Sequence, residues 1–410
     1  MKEAVILAAG LGKRFGTQKP KPLAELFGLP IIEHNIRKLK GYKIYVVYHL
    51  KEIADFIKKK FPKINLIYNP SPERENGYSL YLVKDLIEGD FILIMADHYY
   101  GEGFFKPLDF TKTTVVVSER CHNPEEATKV KVERGRIIEI GKNLKNYDFY
   151  DTGFFYCKKE IFEHIDTSKQ KITLSSIISQ LSKKEKVCYR PIDEFWIDID
   201  TKEELKLAEE VIKKRLTKES DGYISKYINR KISAKITKRI IKYDFITPNI
   251  MTFFSFLIGI TSSLFFLMGN PVVGGVLSQV CSIVDGCDGE IARLKNLRSP
   301  FGQVLDSVLD RYADILIVMG VLFAYGIEKL SIILFFFACS GSILFSYIYH
   351  LTKIRFKIGG RDTRLFSIMV FSLLSILSIK FLLYLLLFLA LLTHFGVLWC
   401  LYFYHKKLRS

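Results

Sequence analysis

DGCDGEIARLKNLRSPFGQVLDSVLD, residues 285–310, sets four aspartates at the end of an apolar stretch. Between Asp244 and Asp285 the only ionisable side chain is Cys281. On a helix, Asp285 and Asp288 share a face, and so do Asp306 and Asp310. A turn through Lys295–Pro300 makes the two helices antiparallel and brings both pairs to one end. Four carboxylates at close range repel one another and require cations. An oxygen-rich cluster of this kind suits Mg²⁺, Mn²⁺ or Ca²⁺. Gly289 and Gly302 leave room for a ligand against the backbone. The alternative is a set of structural ion pairs with Arg293, Arg298 and Arg311. Carboxylates at a membrane edge are costly unless they have work to do, which favours the ligand-binding reading.

Working outward, residues 245–404 are largely apolar and residues 1–244 alternate charged and apolar positions. Six apolar spans are expected at about 248–268, 271–294, 302–326, 330–350, 364–379 and 381–403, each near the ~20 residues a bilayer requires. Lys and Arg gather in the even loops and at both ends, which places both termini in the cytoplasm of a multi-pass cell-membrane protein. The net charge of +17 concentrates beside these spans, so the partners it implies are anionic membrane lipids rather than nucleic acid. A homodimer through the apolar region is compatible with this pattern. Residues 216–245 read as a basic juxtamembrane helix lying in the interface. The seven cysteines show neither disulfide nor zinc spacing. AVILAAG after Lys2 is too short for an export signal.

Residues 1–215 alternate short β-branched runs with helical ones. VILAA (5–9), KIYVVYH (43–49), FILIMAD (91–97) and TTVVVSE (113–119) read as strands, and 31–40 and 50–61 as helices. The expected fold is α/β, a mostly parallel, doubly wound sheet with its ligands at the carboxyl ends of the strands. An all-α six-helix transmembrane domain, residues 246–410, follows it. After the first strand, LAAGLGKRFGTQKPKPL (7–23) offers Gly10 and Gly12 for backbone approach to phosphate, with cations around them.

L-A-A-G-x-G-x-R followed by P-K-P resembles the signature of the sugar-phosphate nucleotidyltransferases, as do IMADH (94–98) and FWIDIDT (195–201). The resemblance implies Leu7, Ala8, Gly10, Gly12, Arg14 and Lys21 around the triphosphate, with Arg14 and Lys21 catalytic. It implies Asp97 and Asp198 on a Mg²⁺, and Asn76, Gly77 and Ser79 reading the base. Lys142 and Asp151 are candidates for the acceptor pocket.

The spacing D-x2-D-G-x2-A-R-x8-G-x3-D-x3-D across 285–310 matches the signature of the CDP-alcohol phosphotransferases, membrane enzymes of six helices. That resemblance implies metals, Mg²⁺ or Mn²⁺, on Asp285, Asp288 and Asp306. Asp310 is placed with the metal acids and as general base, and Gly289, Ala292 and Arg293 around the nucleotide. Asn249 is a further candidate for the nucleotide. Arg361 and Arg364 are candidates for the acceptor phosphate, or anchors at the membrane surface. The fusion resembles two-step enzymes of heat-loving archaea, and the Lys, Glu and Ile content suits such a source. It implies CTP and inositol 1-phosphate as substrates of the first half and CDP-inositol as the intermediate the second half consumes. The rival readings are a phospholipid synthase using CDP-diacylglycerol and a divalent-cation carrier.

Overall fold

The computed structural model describes residues 2–10, 19–106, 110–184, 187–218, 221–354 and 356–409. The chain divides into two compact units, Met1–Val211 and Ile212–Ser410.

In the first unit, β1 (Glu3–Ala8) leads to a small hairpin, β2 (Glu25–Leu26) and β3 (Leu29–Pro30). Then come α1 (Ile31–Lys38), β4 (Lys43–Tyr48), α2 (Lys51–Lys60), β5 (Asn65–Tyr68) and α3 (Glu75–Tyr81). The strands β6 (Phe91–Met95), β7 (His98–Tyr100), β8 (Thr114–Ser118), β9 (Lys129–Glu133), β10 (Arg136–Gly141) and β11 (Phe149–Cys157) follow. The unit ends with α4 (Leu174–Lys184), β12 (Cys188–Pro191), β13 (Trp196–Asp198) and α5 (Lys202–Leu216), whose last residues pass into the second unit.

Nine of these strands form one sheet, ordered β10-β9-β11-β6-β1-β4-β5, with β8 on β11 and β12 on β8. Strand β1 shows why it is central: Val5 and Leu7 enter one core with Ile177 and Leu181 of α4. Ala4, Ile6 and Ala8 enter the other core with Ile32 and Ile36 of α1. A strand buried on both faces carries apolar residues at every position.

The sheet is mixed rather than mostly parallel. β6, β1, β4 and β5 run parallel, whereas β11 is antiparallel to β6, β8 and β9. For the antiparallel β9–β10 pair connection length is decisive, since a parallel pair needs a long crossover. β9 and β10 are joined only by Arg134 and Gly135, both at positive φ (48° and 76°), as a tight hairpin requires.

The second unit is helical: α6 (Arg230–Ile240), α7 (Pro248–Leu267), α8 (Pro271–Leu294), α9 (Pro300–Tyr325), α10 (Lys329–Thr352), α11 (Arg361–Leu374) and α12 (Lys380–Arg409). The starts of α7, α8 and α9 share one local code. Thr247, Asn270 and Ser299 each accept a backbone N–H with the side chain, and a proline follows. α7 packs on both α8 and α9, α11 on α8, and α10 and α11 on α12.

Six helices thus stand where six spans were expected. Among the described residues, α7, α10 and α12 are long and apolar enough to cross a membrane. α11 has 14 residues, about 21 Å at 1.5 Å per residue, which is short of the ~30 Å hydrocarbon core. α8 and α9 are long, but they carry the acids. The basic helix α6 lies against α8. Its Ser233 and Thr237 donate to Glu290, which is wholly buried, at 2.6 and 2.7 Å.

The α10–α12 contact depends on the absence of a side chain at Gly341. A Cβ there would collide with Thr393 and lie 3.0 Å from His394 Cδ2. Gly341→Val is expected to cost ~1–3 kcal/mol, the usual range for overpacking, and to lower the melting temperature of the detergent-solubilised protein in a thermal scan.

Candidate functional site

The first unit holds a cavity of about 330 Å³ at the carboxyl ends of β1 and β6. Leu7, Gly10, Asn76, Ser79, Asp97, Lys142, Asp151 and Asp198 all line it. Gly12 and Arg14 lie outside the described residues. Ala8 points into the opposite core. Gly77 contributes backbone: its N–H donates to Ile172 O at 2.8 Å, and a Cβ would stand 2.7 Å from that oxygen. Asn76 Oδ1 accepts from Leu174 N at 2.8 Å and Ser79 Oγ from Asn69 at 2.9 Å.

Lys21 is buried, and its Nζ meets three carboxylates: Asp97 at 2.8 Å, Asp198 at 3.0 Å and Asp200 at 2.6 Å. Burial disfavours the ammonium, but Asp97 and Asp198 outweigh that and hold it well above the ordinary lysine value. His98 packs into the same cluster, with Nε2 3.4 Å from Asp198 and Nδ1 3.0 Å from Thr152 O. Burial alone would lower its imidazole; Asp198 and Asp97 reverse this and raise it to about 9. Burial likewise pushes Asp151 up to about 6, against the N–H of Gly153. Gly153 sits at φ +71°, and a Cβ would come 2.8 Å from the His98 ring.

Oxygen or nitrogen atoms of Asp97, His98 and Asp198 all lie within 4.8 Å of one another; the two carboxylates are hard donors that fit a divalent cation, and the imidazole joins them only in its neutral form. His98 and Asp200 were not among the candidates read from sequence. His98 is the neighbour of Asp97, and Asp200 stands two residues after Asp198 in an extended segment, which puts both acids on one side.

In the second unit, carboxylate oxygens of Asp285, Asp288 and Asp306 lie within 4.8 Å of one another. Among the described residues, Asp306 Oδ1 is buried without a hydrogen-bond partner, and Thr252 of α7 donates to Asp288 Oδ2 at 2.7 Å. Three converging hard oxygen donors, one of them unsatisfied, fit a divalent cation. The cluster opens on a cavity of about 450 Å³. Asn249, Gly289, Ala292 and Arg293 line it, together with Asp288 and Asp306.

Asp310 lies beside this group on the side of α11. Arg361 Nη1 is 2.8 Å from Asp310 Oδ1 and 3.1 Å from Asp285 Oδ1, and its Nε is 2.9 Å from Asp314 Oδ1. Arg364 is 5% exposed; it pairs with Asp314 at 3.0 Å and donates to Ser342. Both arginines therefore face the interior of the helical unit. Arg293 and Arg311 point elsewhere, Arg293 to Leu216 O at 2.9 Å and Arg311 to Asp314 at 3.5 Å. Asp314 had escaped the sequence reading, although 306, 310 and 314 continue one helix face at intervals of four.

Residues 245–400 match the family model of CDP-alcohol phosphatidyltransferases, and residues 4–99 that of the MobA-like NTP transferase domain. A relative from Aquifex aeolicus named "Bifunctional IPC transferase and DIPP synthase" is 35% identical, with 98% of each chain aligned. Its namesake from Archaeoglobus fulgidus is 37% identical over 95% of this chain and 81% of its own. The solved inositol-1-phosphate CTP transferase from T. maritima is 25% identical, with a TM-score of 0.47, over 51% of this chain and 94% of its own.

The carboxylate geometry makes a prediction independent of turnover. Asp306→Asn should remove Mn²⁺ binding at the helical cluster and reduce the Mn²⁺ bound per chain, read by electron paramagnetic resonance of the full-length protein. Unchanged stoichiometry and affinity would count against a metal there.

Proposed function

The chain belongs to the family of bifunctional IPC transferases and DIPP synthases, and from that membership we infer a two-step sequence through a CDP-linked alcohol. The first unit transfers a cytidylyl group: a phosphate oxygen of inositol 1-phosphate attacks the α-phosphorus of CTP. Pyrophosphate leaves, and CDP-inositol is formed. The second unit transfers a phosphoryl-linked alcohol: a hydroxyl of a second inositol 1-phosphate attacks the phosphorus that carries the inositol. CMP leaves, and the product is a phosphorylated di-myo-inositol phosphate. The observation that carries this reading is the presence of two separate acidic clusters, each lining a cavity, in a chain that matches both families.

Divalent cations, Mg²⁺ or Mn²⁺, held by Asp97 and Asp198 and by Asp285, Asp288 and Asp306, would neutralise charge on the phosphate oxygens. The side chains supply the rest. Lys21 and Arg14 bring positive charge to the triphosphate in the first step. In the second, Arg361 holds Asp310 by Oδ1, and Asp310 Oδ2 takes the proton of the attacking hydroxyl. Arg361 and Arg364, paired with Asp310 and Asp314, hold the inner end of the cluster in place.

The helical unit is membrane-associated. Its exposed large apolar side chains, among them Phe253, Phe254, Phe336 and Leu398, suit contact with lipid tails. We place α8, α9 and α11 in the bilayer beside the three long apolar helices, with the cytidylyltransferase unit and the C-terminus in the cytoplasm. The Lys and Arg distribution supports that orientation. Its purpose would be compatible-solute synthesis.

Two reciprocal variants test the division of labour. Asp310→Asn should abolish CMP release while pyrophosphate release persists. Lys21→Ala should lose at least ~100-fold in pyrophosphate release, on the scale of a removed charge-stabilising donor, yet still release CMP when CDP-inositol is supplied. CMP release by Asp310→Asn would refute the general base, and CMP release that required CDP-diacylglycerol would favour a phospholipid synthase.

A further inference from the structure

The cavity beside the helical acids has a wall that the aspartate motif does not supply. Arg215, at the end of α5, and Lys218, from the connector that precedes α6, line it together with residues of α8 and α9. Lys218 is held by Asp221: its N–H donates to Asp221 Oδ2 and its carbonyl accepts from Asp221 N, both at 3.0 Å.

Asp221 is tied to the motif helix by a chain of charges. Arg230 Nε is 2.8 Å from Asp221 Oδ2. Its Nη1 donates to Gly286 O at 3.0 Å and lies 3.2 Å from the buried Glu290 carboxylate. Gly286 is the residue this approach requires, because a Cβ would stand 2.8 Å from Arg230 Nη1. The two motif positions that hold Arg230, Gly286 and Glu290, are variable in the pattern that defines the acids. In this chain they position the connector.

Lys218 also sits in an unfavourable field. Burial, then the charges of Arg293 and Arg230, hold its ammonium below the ordinary lysine value. An anion in the cavity would relieve that field, and the acids Asp288 and Asp306, which line the same cavity, limit where it could lie. A diphosphate is the anion that spans such a site: a cation held by the acids takes one side, and fixed positive side chains take the other.

We propose that Lys218 binds the diphosphate of the CDP-linked donor in the helical unit, and that Asp221, Arg230 and Glu290 position it there. The proposal rests on the two-step reading given above and adds a donor contact outside the aspartate motif. Lys218 acts on ground state and transition state alike, so its loss raises KM for the donor more than it lowers kcat.

The test uses the full-length protein in detergent, assayed for CMP release with supplied CDP-inositol and Mg²⁺. Lys218→Gln should raise KM for CDP-inositol about tenfold, the size of one lost charge-assisted hydrogen bond, with kcat within about twofold. Lys218→Arg should restore most of the affinity. Arg230→Gln should shift KM in the same direction, and pyrophosphate release from CTP should be unchanged in Lys218→Gln. A direct titration with CDP should show the same loss of affinity in Lys218→Gln. Unchanged KM and CDP affinity in both Lys218→Gln and Lys218→Glu would overturn the proposal. Failure of the unmodified protein to consume CDP-inositol would instead overturn the two-step reading, so the two failures are distinct.

Discussion

Mutual repulsion among carboxylates at the end of α8 and α9 is the constraint on which the helical unit depends. Asp285, Asp288, Asp306, Asp310 and Asp314 come from two neighbouring helices, and bringing them together in a weakly solvated setting is costly unless positive charge meets them. The chain sorts them. Asp314 receives Arg311, Arg361 and Arg364 and is fully answered by protein. Asp288 and Asp306 face the cavity, where Thr252 is the neutral donor. Arg361 stands at the divide, shared between Asp285, Asp310 and Asp314. The inner end of the cluster is thus satisfied by protein, and the outer end, with Asp288 and Asp306, opens on the cavity.

The first unit meets the same electrostatic demand with a different fold. Asp97, Asp198 and Asp200 converge at strand ends, and one buried lysine, Lys21, satisfies all three. Because these contacts span up to 179 residues of sequence, the site exists only once β1, β6 and β13 are assembled. Gly153, with its left-handed backbone, lets the His98 imidazole reach the acids. In both units the acids gather where backbone elements end and a cavity begins. That position allows phosphate oxygens, a cation and protein donors to share one small volume.

How much could be read from residues alone follows from how local each feature is. The aspartate motif lies within two helices and a short turn, so helical spacing was enough to bring Asp285, Asp288 and Asp306 together. Apart from the local Arg311, the partners of Asp310 and Asp314 lie about fifty residues onward on α11, and no spacing rule connects Arg361 to them. The parallel half of the sheet was visible because its strands alternate with helices. The antiparallel half was not, since β9 and β10 are short and partly polar and their pairing depends on the Arg134–Gly135 turn. Six helices were legible from their apolar runs. Which of them cross a membrane was less so, because the acids that carry the chemistry of α8 and α9 also erode their apolar character.

In the two-step reading, one chain makes a CDP-linked alcohol at one acidic site and consumes it at another. The most direct measurement is a ³¹P NMR time course of the purified protein with CTP, Mg²⁺ and inositol 1-phosphate. Pyrophosphate is expected from the outset, with a CDP-inositol signal that rises and then falls, and CMP that appears after a lag together with a new phosphodiester resonance. Pyrophosphate and CDP-inositol accumulating to completion, with neither CMP nor a phosphodiester, would contradict it.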